Sequence, residues 1–141
     1  MTGTNTQKGY LSFPDSDGEY SAQTSIALPT DWTGTVDARI KWFSAITTGN
    51  VLWQVSTICV ADGETDDPAF NVASTIADAA KGTTLQTNDA AITTVTVTGC
   101  AAGELMHVKI MRNRVDVSGS DTLGASAAGL IGVELTLRRA Q

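Results

Sequence analysis

Apolar and polar residues alternate with a period of two along most of the chain, and the alternation predicts a series of short strands. From Thr35 to Trp42, Val36, Ala38, Ile40 and Trp42 fall on one face and Asp37, Arg39 and Lys41 on the other, the pattern of a half-buried strand. The run Val51 to Ala61 differs. It places Val51, Trp53, Val55, Thr57, Cys59 and Ala61 on one face and Leu52, Gln54, Ser56, Ile58 and Val60 on the other. Both faces are largely apolar, which predicts a central strand covered on two sides or lying against another subunit. Glu104 to Met111 sets Met106, Val108 and Ile110 opposite Leu105, His107, Lys109 and Met111. The last strand, Leu130 to Arg138, is expected to bury Ile131, Val133, Leu135 and Leu137 and to show Gly132, Glu134, Thr136 and Arg138 to water.

Shorter β-like runs lie at Ser21 to Leu28, ending at Pro29, and at Ala69 to Ile76, Gly82 to Gln86 and Ala91 to Val97. Turns rich in Ala, Asp, Gly and Asn separate the later ones. The alanines between Ala73 and Lys81 offer a turn of helix, but the segment is short and carries β-branched residues, so it reads as a loop or a short crossover. Eight or so antiparallel strands of this kind predict an all-β fold, a jelly-roll-like antiparallel β-sandwich. An immunoglobulin order is disfavoured because Trp53 shares a strand with Cys59. Residues 1–20 form an expected N-terminal arm, in which Tyr10, Leu11 and Phe13 stand isolated among polar residues, Pro14 and Gly18. Residues 21–141 form one sandwich domain.

Composition narrows the partners. The chain has 141 residues, 17% of them charged, and a formal net charge of -6. Direct nucleic-acid binding, which needs Lys and Arg to displace counterions from phosphates, is not expected. No apolar run approaches the roughly 20 residues of a membrane span, and none of signal-peptide length opens the chain. Cys59 and Cys100 lack metal-type spacing and read by default as buried free thiols, with a disulfide open to them only if their strands are neighbours.

Catalytic chemistry is poorly supplied. His107 is the single histidine and has no serine or cysteine beside it in sequence, so no enzyme activity is expected. The acidic loop Asp62, Glu64, Asp66, Asp67 could gather oxygens around Ca²⁺, yet its glycine and closing glutamate miss the EF-hand positions and a solvated turn before Pro68 is the simpler reading. No cofactor is implied. Trp42 and Trp53 sit on apolar strand faces, whereas Trp32, in the turn from Pro29 to Gly34, reads as a surface aromatic suited to stacking on a sugar.

From about Asp31 to Leu137 the chain resembles the structural proteins of tailed bacteriophages. The segments that carry the likeness are Gly49-Asn-Val-Leu-Trp53, Val60-Ala-Asp-Gly-Glu64, Asp67-Pro-Ala-Phe70, Gly103-Glu-Leu-Met106, Ile110-Met-Arg-Asn113, Ser120-Asp-Thr-Leu123 and Ile131-Gly-Val-Glu134. The resemblance implies a virion component, first a capsid decoration (cementing) protein that acts as a homotrimer on the major capsid protein. A tail-fibre or carbohydrate-binding module is the alternative. Tyr10, Leu11, Phe13, Trp32 and Trp53 are then the interface candidates. In this picture the arm docks on a neighbouring subunit or on the shell, where a tethered second contact adds affinity.

Overall fold

The structure, a computed structural model, describes residues 9–14, 19–115, 120–124 and 127–141. Eight strands account for it: β1 (Leu11–Phe13), β2 (Glu19–Ala27), β3 (Trp32–Phe43), β4 (Asn50–Val60), β5 (Ser74–Ala79), β6 (Asn88–Ile92), β7 (Leu105–Asn113) and β8 (Ala128–Arg139). They form two four-stranded antiparallel sheets, ordered β1-β8-β3-β6 and β2-β7-β4-β5. Strand pairs β1/β8, β2/β7, β3/β6 and β4/β5 nest one inside the next, as in a single long hairpin rolled up until β8 meets β3 and β7 meets β4. That is the jelly-roll order.

The alternation read from sequence sets which face of each strand turns inward. Val36, Ala38, Ile40 and Trp42 of β3 meet Val51, Trp53 and Val55 of β4 and Met106, Val108 and Ile110 of β7 in one core. Trp42 and Trp53 pack edge to face, with centroids 6.2 Å apart, and Phe13 meets Trp53 in the same way at 5.4 Å. Each such side chain removed from water contributes on the order of 1.5–3 kcal/mol, which is why the period-two pattern specifies the sheet faces.

Several sequence expectations change. The segment from Ala73 to Lys81 is largely β5 rather than a loop, because Ile76 and Asp78 can face inward beside Trp53 and Val51 while Thr75, Ala77 and Ala79 face out. Gly82 to Gln86 is a turn. In β8 a bulge steps the alternation, setting Leu130 opposite Trp42 but Val133 opposite Ile40, so Leu130 takes the inward place expected of Ile131. Finally, Cys59 and Cys100 form a disulfide instead of standing as free thiols, tying the end of β4 to the turn before β7.

The expected arm also takes a definite form where it is described. Leu11 to Phe13 pair with Leu130 to Ala128, and Glu19 and Tyr20 already belong to β2, so these residues are part of the sandwich. Residues 1–8 and 15–18 of that arm lie outside the described residues.

One long side of the sandwich is laced shut. There the backbone N–H of Lys81 donates to Asn88 Oδ1 (2.9 Å), Thr57 Oγ1 donates to the carbonyl of Thr96 (2.5 Å), and the N–H of Thr96 donates to Ser74 Oγ (2.9 Å). The opposite side, between β8 with its short partner β1 and β2, is where the sandwich opens.

Candidate docking cleft

Three strands at the open side present inward-facing side chains. Leu130, Val133 and Leu135 come from β8, Ala22 and Ile26 from the edge strand β2, and Val108 and Ile110 from β7 behind it. Tyr10 and Leu11 form the lip. Together they line a predominantly apolar cleft of about 700 Å³. β1 is only three residues long, and its pairing ends at the β8 bulge, so nothing of β1 covers Val133 and Leu135. Leu11 is left 54% exposed beside them.

Both rims of the cleft carry outward-pointing backbone. The N–H of Leu28 donates to the carbonyl of Glu104 (2.8 Å), one step beyond the pair Ala27 and Leu105. In an antiparallel ladder residues alternate in direction, so Ser21, Gln23, Ser25 and Ala27 turn their N–H and C=O groups away from β7. On the other rim, Val95 donates to the carbonyl of Val36 (2.8 Å), fixing Val36 toward the β6 side of β3. Asp37, Arg39 and Lys41 therefore bond to β8, and Val133, Leu135 and Leu137, opposite Ile40, Ala38 and Val36, point their backbone groups out of the sheet. Apolar surface flanked by open strand edges is suited to receiving a protein segment.

The interface candidates divide sharply in this frame. Tyr10 and Leu11 are on the cleft lip. Phe13, Trp32 and Trp53 are core residues, with Trp53 wholly buried, and none offers a surface for a partner. Trp32 folds inward because its indole N–H finds the carbonyl of Thr35 at 2.9 Å, which lets the ring be buried with its donor satisfied. The acidic loop does not converge either. Glu64 accepts from the N–H of Ala61 and Asp66 turns to His107, and among the described residues no three His, Cys, Asp or Glu side chains are placed to hold a metal ion.

Asp66 belongs instead to a constellation that sequence reading did not find. Ser25 and His107 are cross-strand neighbours, with Ser25 Oγ 2.7 Å from His107 Nδ1, and His107 Nε2 lies 2.7 Å from Asp66 Oδ1. An ionised carboxylate only accepts, so Nε2 carries the proton toward Asp66 and, in the neutral ring, Nδ1 accepts from the serine hydroxyl. The serine hydrolases use the opposite ends of the imidazole for these two partners. The group also lies on the outer face of its sheet, with the Asp66 side chain 74% exposed and no part of it lining the apolar cleft. What the contact does is fasten the loop after β4 over the sheet, a task shared by Lys109, whose Nζ sits 4.9 Å from the Phe70 ring centroid. The covering of β4's outer face thus comes in part from the chain itself. The signal that would have exposed Ser25 and His107 as neighbours is the β2/β7 register, which one strand's pattern does not contain.

Fold and cleft together define an all-β jelly-roll sandwich with one open, apolar side. No protein-family model matches the chain, and no curated protein is significantly similar to it.

Proposed function

We propose that this chain is a non-catalytic structural protein of a tailed-phage virion, most simply a capsid decoration protein that self-associates and binds the major capsid protein at subunit junctions. The observation that carries the reading is the apolar cleft between β2 and β8, a surface shaped for another polypeptide and bordered along β2 by backbone groups ready to pair with one. The jelly roll is a common architecture of viral capsid and lectin domains, which agrees with the likeness of the segments from Gly49 to Glu134 but does not by itself fix the role. A Cys59–Cys100 disulfide suits a particle that works outside the reducing cytoplasm. The net charge of -6 favours a protein partner over nucleic acid.

Catalysis has less support, since the Ser25–His107–Asp66 contact is reversed at the ring and lies outside the apolar cleft. A sugar-binding role rested on an exposed Trp32, and that ring is buried. The test is co-sedimentation of the purified protein with empty shells of a phage that carries it. Stoichiometric binding supports the reading, and a protein that stays in the supernatant at every concentration argues for a fibre-attached module instead.

A further inference from the structure

We propose that two copies of this chain pair edge to edge through β8, antiparallel and centred on Thr136. The pairing is made by the backbone and side chains of β8 and is independent of binding to a shell.

β1 occupies the outer edge of β8 only opposite Ala128 to Leu130, and the bulge ends that pairing. Among the described residues, the strand from Val133 to Arg139 is bonded on its β3 side alone, with Val133, Leu135 and Leu137 pointing N–H and C=O groups outward. A long open edge with apolar residues on its inner face is the kind of surface that soluble proteins cover or pair.

The midpoint of this stretch is Thr136, and the sequence reads as self-complementary about it. A two-fold axis there sets Leu135 of one copy against Leu137 of the other as a hydrogen-bonded pair, both residues having outward backbone groups. It sets Glu134 against Arg138 of the second copy, twice, at positions without ladder bonds, where opposite side chains come closest. Centring on Leu135 instead would oppose Glu134 with Thr136, leave both charges without an opposite number, and shorten the paired stretch. Arg138 already reaches Asp37 Oδ2 at 3.2 Å, but its side chain is 63% exposed and a guanidinium has five N–H donors. Glu134 is exposed, and Arg39, its neighbour across β3, is engaged with Asp89. The axis is isologous, each copy giving the same surface. It also turns the two apolar clefts toward each other and makes one sheet continuous through both copies. Two chains, rather than the three implied by the phage resemblance, is the stoichiometry this edge favours.

Light scattering on the purified protein is expected to give twice the 14.7 kDa mass of the chain. E134R, which faces Arg138 of the second copy, and R138E, which faces Glu134, are each expected to halve that mass at the same concentration. The double variant E134R/R138E restores the opposition and is expected to recover the doubled mass. A wild-type mass of one or three chains, single variants that stay paired, or a folded double variant that stays single overturns the proposal. Should a variant unfold by circular dichroism, hydrogen exchange of the wild type decides. The amides of Leu135 and Leu137 are expected to slow as protein concentration rises, and exchange that ignores concentration overturns the pairing.

Discussion

Arg112 and Asp121 meet in a bidentate ion pair, Nε to Oδ2 and Nη2 to Oδ1 at 2.8 Å each, with both side chains 1% exposed. Arg112 stands on β7 facing the interior, and its Nη1 also donates to the carbonyl of Phe13 (3.1 Å). Asp121 Oδ2 accepts in addition from the N–H of Leu52 (3.2 Å). One guanidinium and one carboxylate thus join β1, β4, β7 and the segment that follows β7.

Removing one partner strands the other charge without water. Asp121→Ala is expected to lower the unfolding free energy by about 3–5 kcal/mol, read as a lower denaturant midpoint. Replacing both residues together by apolar ones of similar volume is expected to cost far less, because no unpaired charge remains. Equal losses in the single and double variants would show that the pair does not act as a unit.

The disulfide closes a separation of 41 residues, for which loss of loop entropy in the unfolded chain predicts a contribution of about 4 kcal/mol. Cys59→Ser with Cys100→Ser, or reduction of the native protein, is expected to lower the denaturant midpoint accordingly. An unchanged midpoint would place the bond outside the cooperative unit.

Gly129 is required by packing rather than by backbone angle. A Cβ at this position would run into the Phe43 ring, which lies over Gly129 across the β3/β8 pair. Gly129→Ala is expected to cost about 1–3 kcal/mol by overpacking, and Gly129→Ala with Phe43→Leu to recover part of it. Thermal unfolding of wild type, Gly129→Ala, Phe43→Leu and the double variant measures the coupling, and additive losses would contradict it.

Asp89 supplies a pH dependence of known sign. Its carboxylate accepts from Lys41 Nζ and from Arg39 Nε (3.2 Å), and these cations, Lys41 foremost, hold its pKa below the usual aspartate range. A depressed carboxylate contributes stability that is complete above the unfolded-state pKa and is lost as pH falls through the folded value. Wild type is therefore expected to lose slightly more stability than Asp89→Asn between neutral pH and pH 3, with the gap shrinking in high salt. The reverse ordering would contradict the assignment.

Much of the fold was legible because β3, β7 and β8 each bury mainly one face, which a period of two reports directly, and because β4, apolar on both faces, is covered on both. β5 was obscured because its inward residues, Ser74, Ile76 and Asp78, are mixed in polarity, Asp78 being admitted by the indole N–H of Trp42 at 2.7 Å. The cleft was legible only in part. Tyr10 and Leu11 stand out as apolar residues in a polar stretch, but Val133, Leu135, Ala22 and Ile26 read as ordinary inward positions, since the sequence does not say that, among the described residues, no strand lies across them. Trp32 was misplaced for a related reason, as a turn position gives no hint of the carbonyl that satisfies its N–H. Pairings such as Ser25 with His107, or Cys59 with Cys100, depend on register and loop paths that no local pattern encodes.

The most direct test of the central claim is sedimentation of empty phage shells mixed with increasing amounts of this protein. Assembly by docking predicts saturable binding at a fixed number of chains per shell, lost when Ile26→Asp places a charge on the β2 side of the cleft while the protein stays folded. A folded wild-type protein that never sediments with shells, or an Ile26→Asp variant that binds as well as wild type, would contradict it.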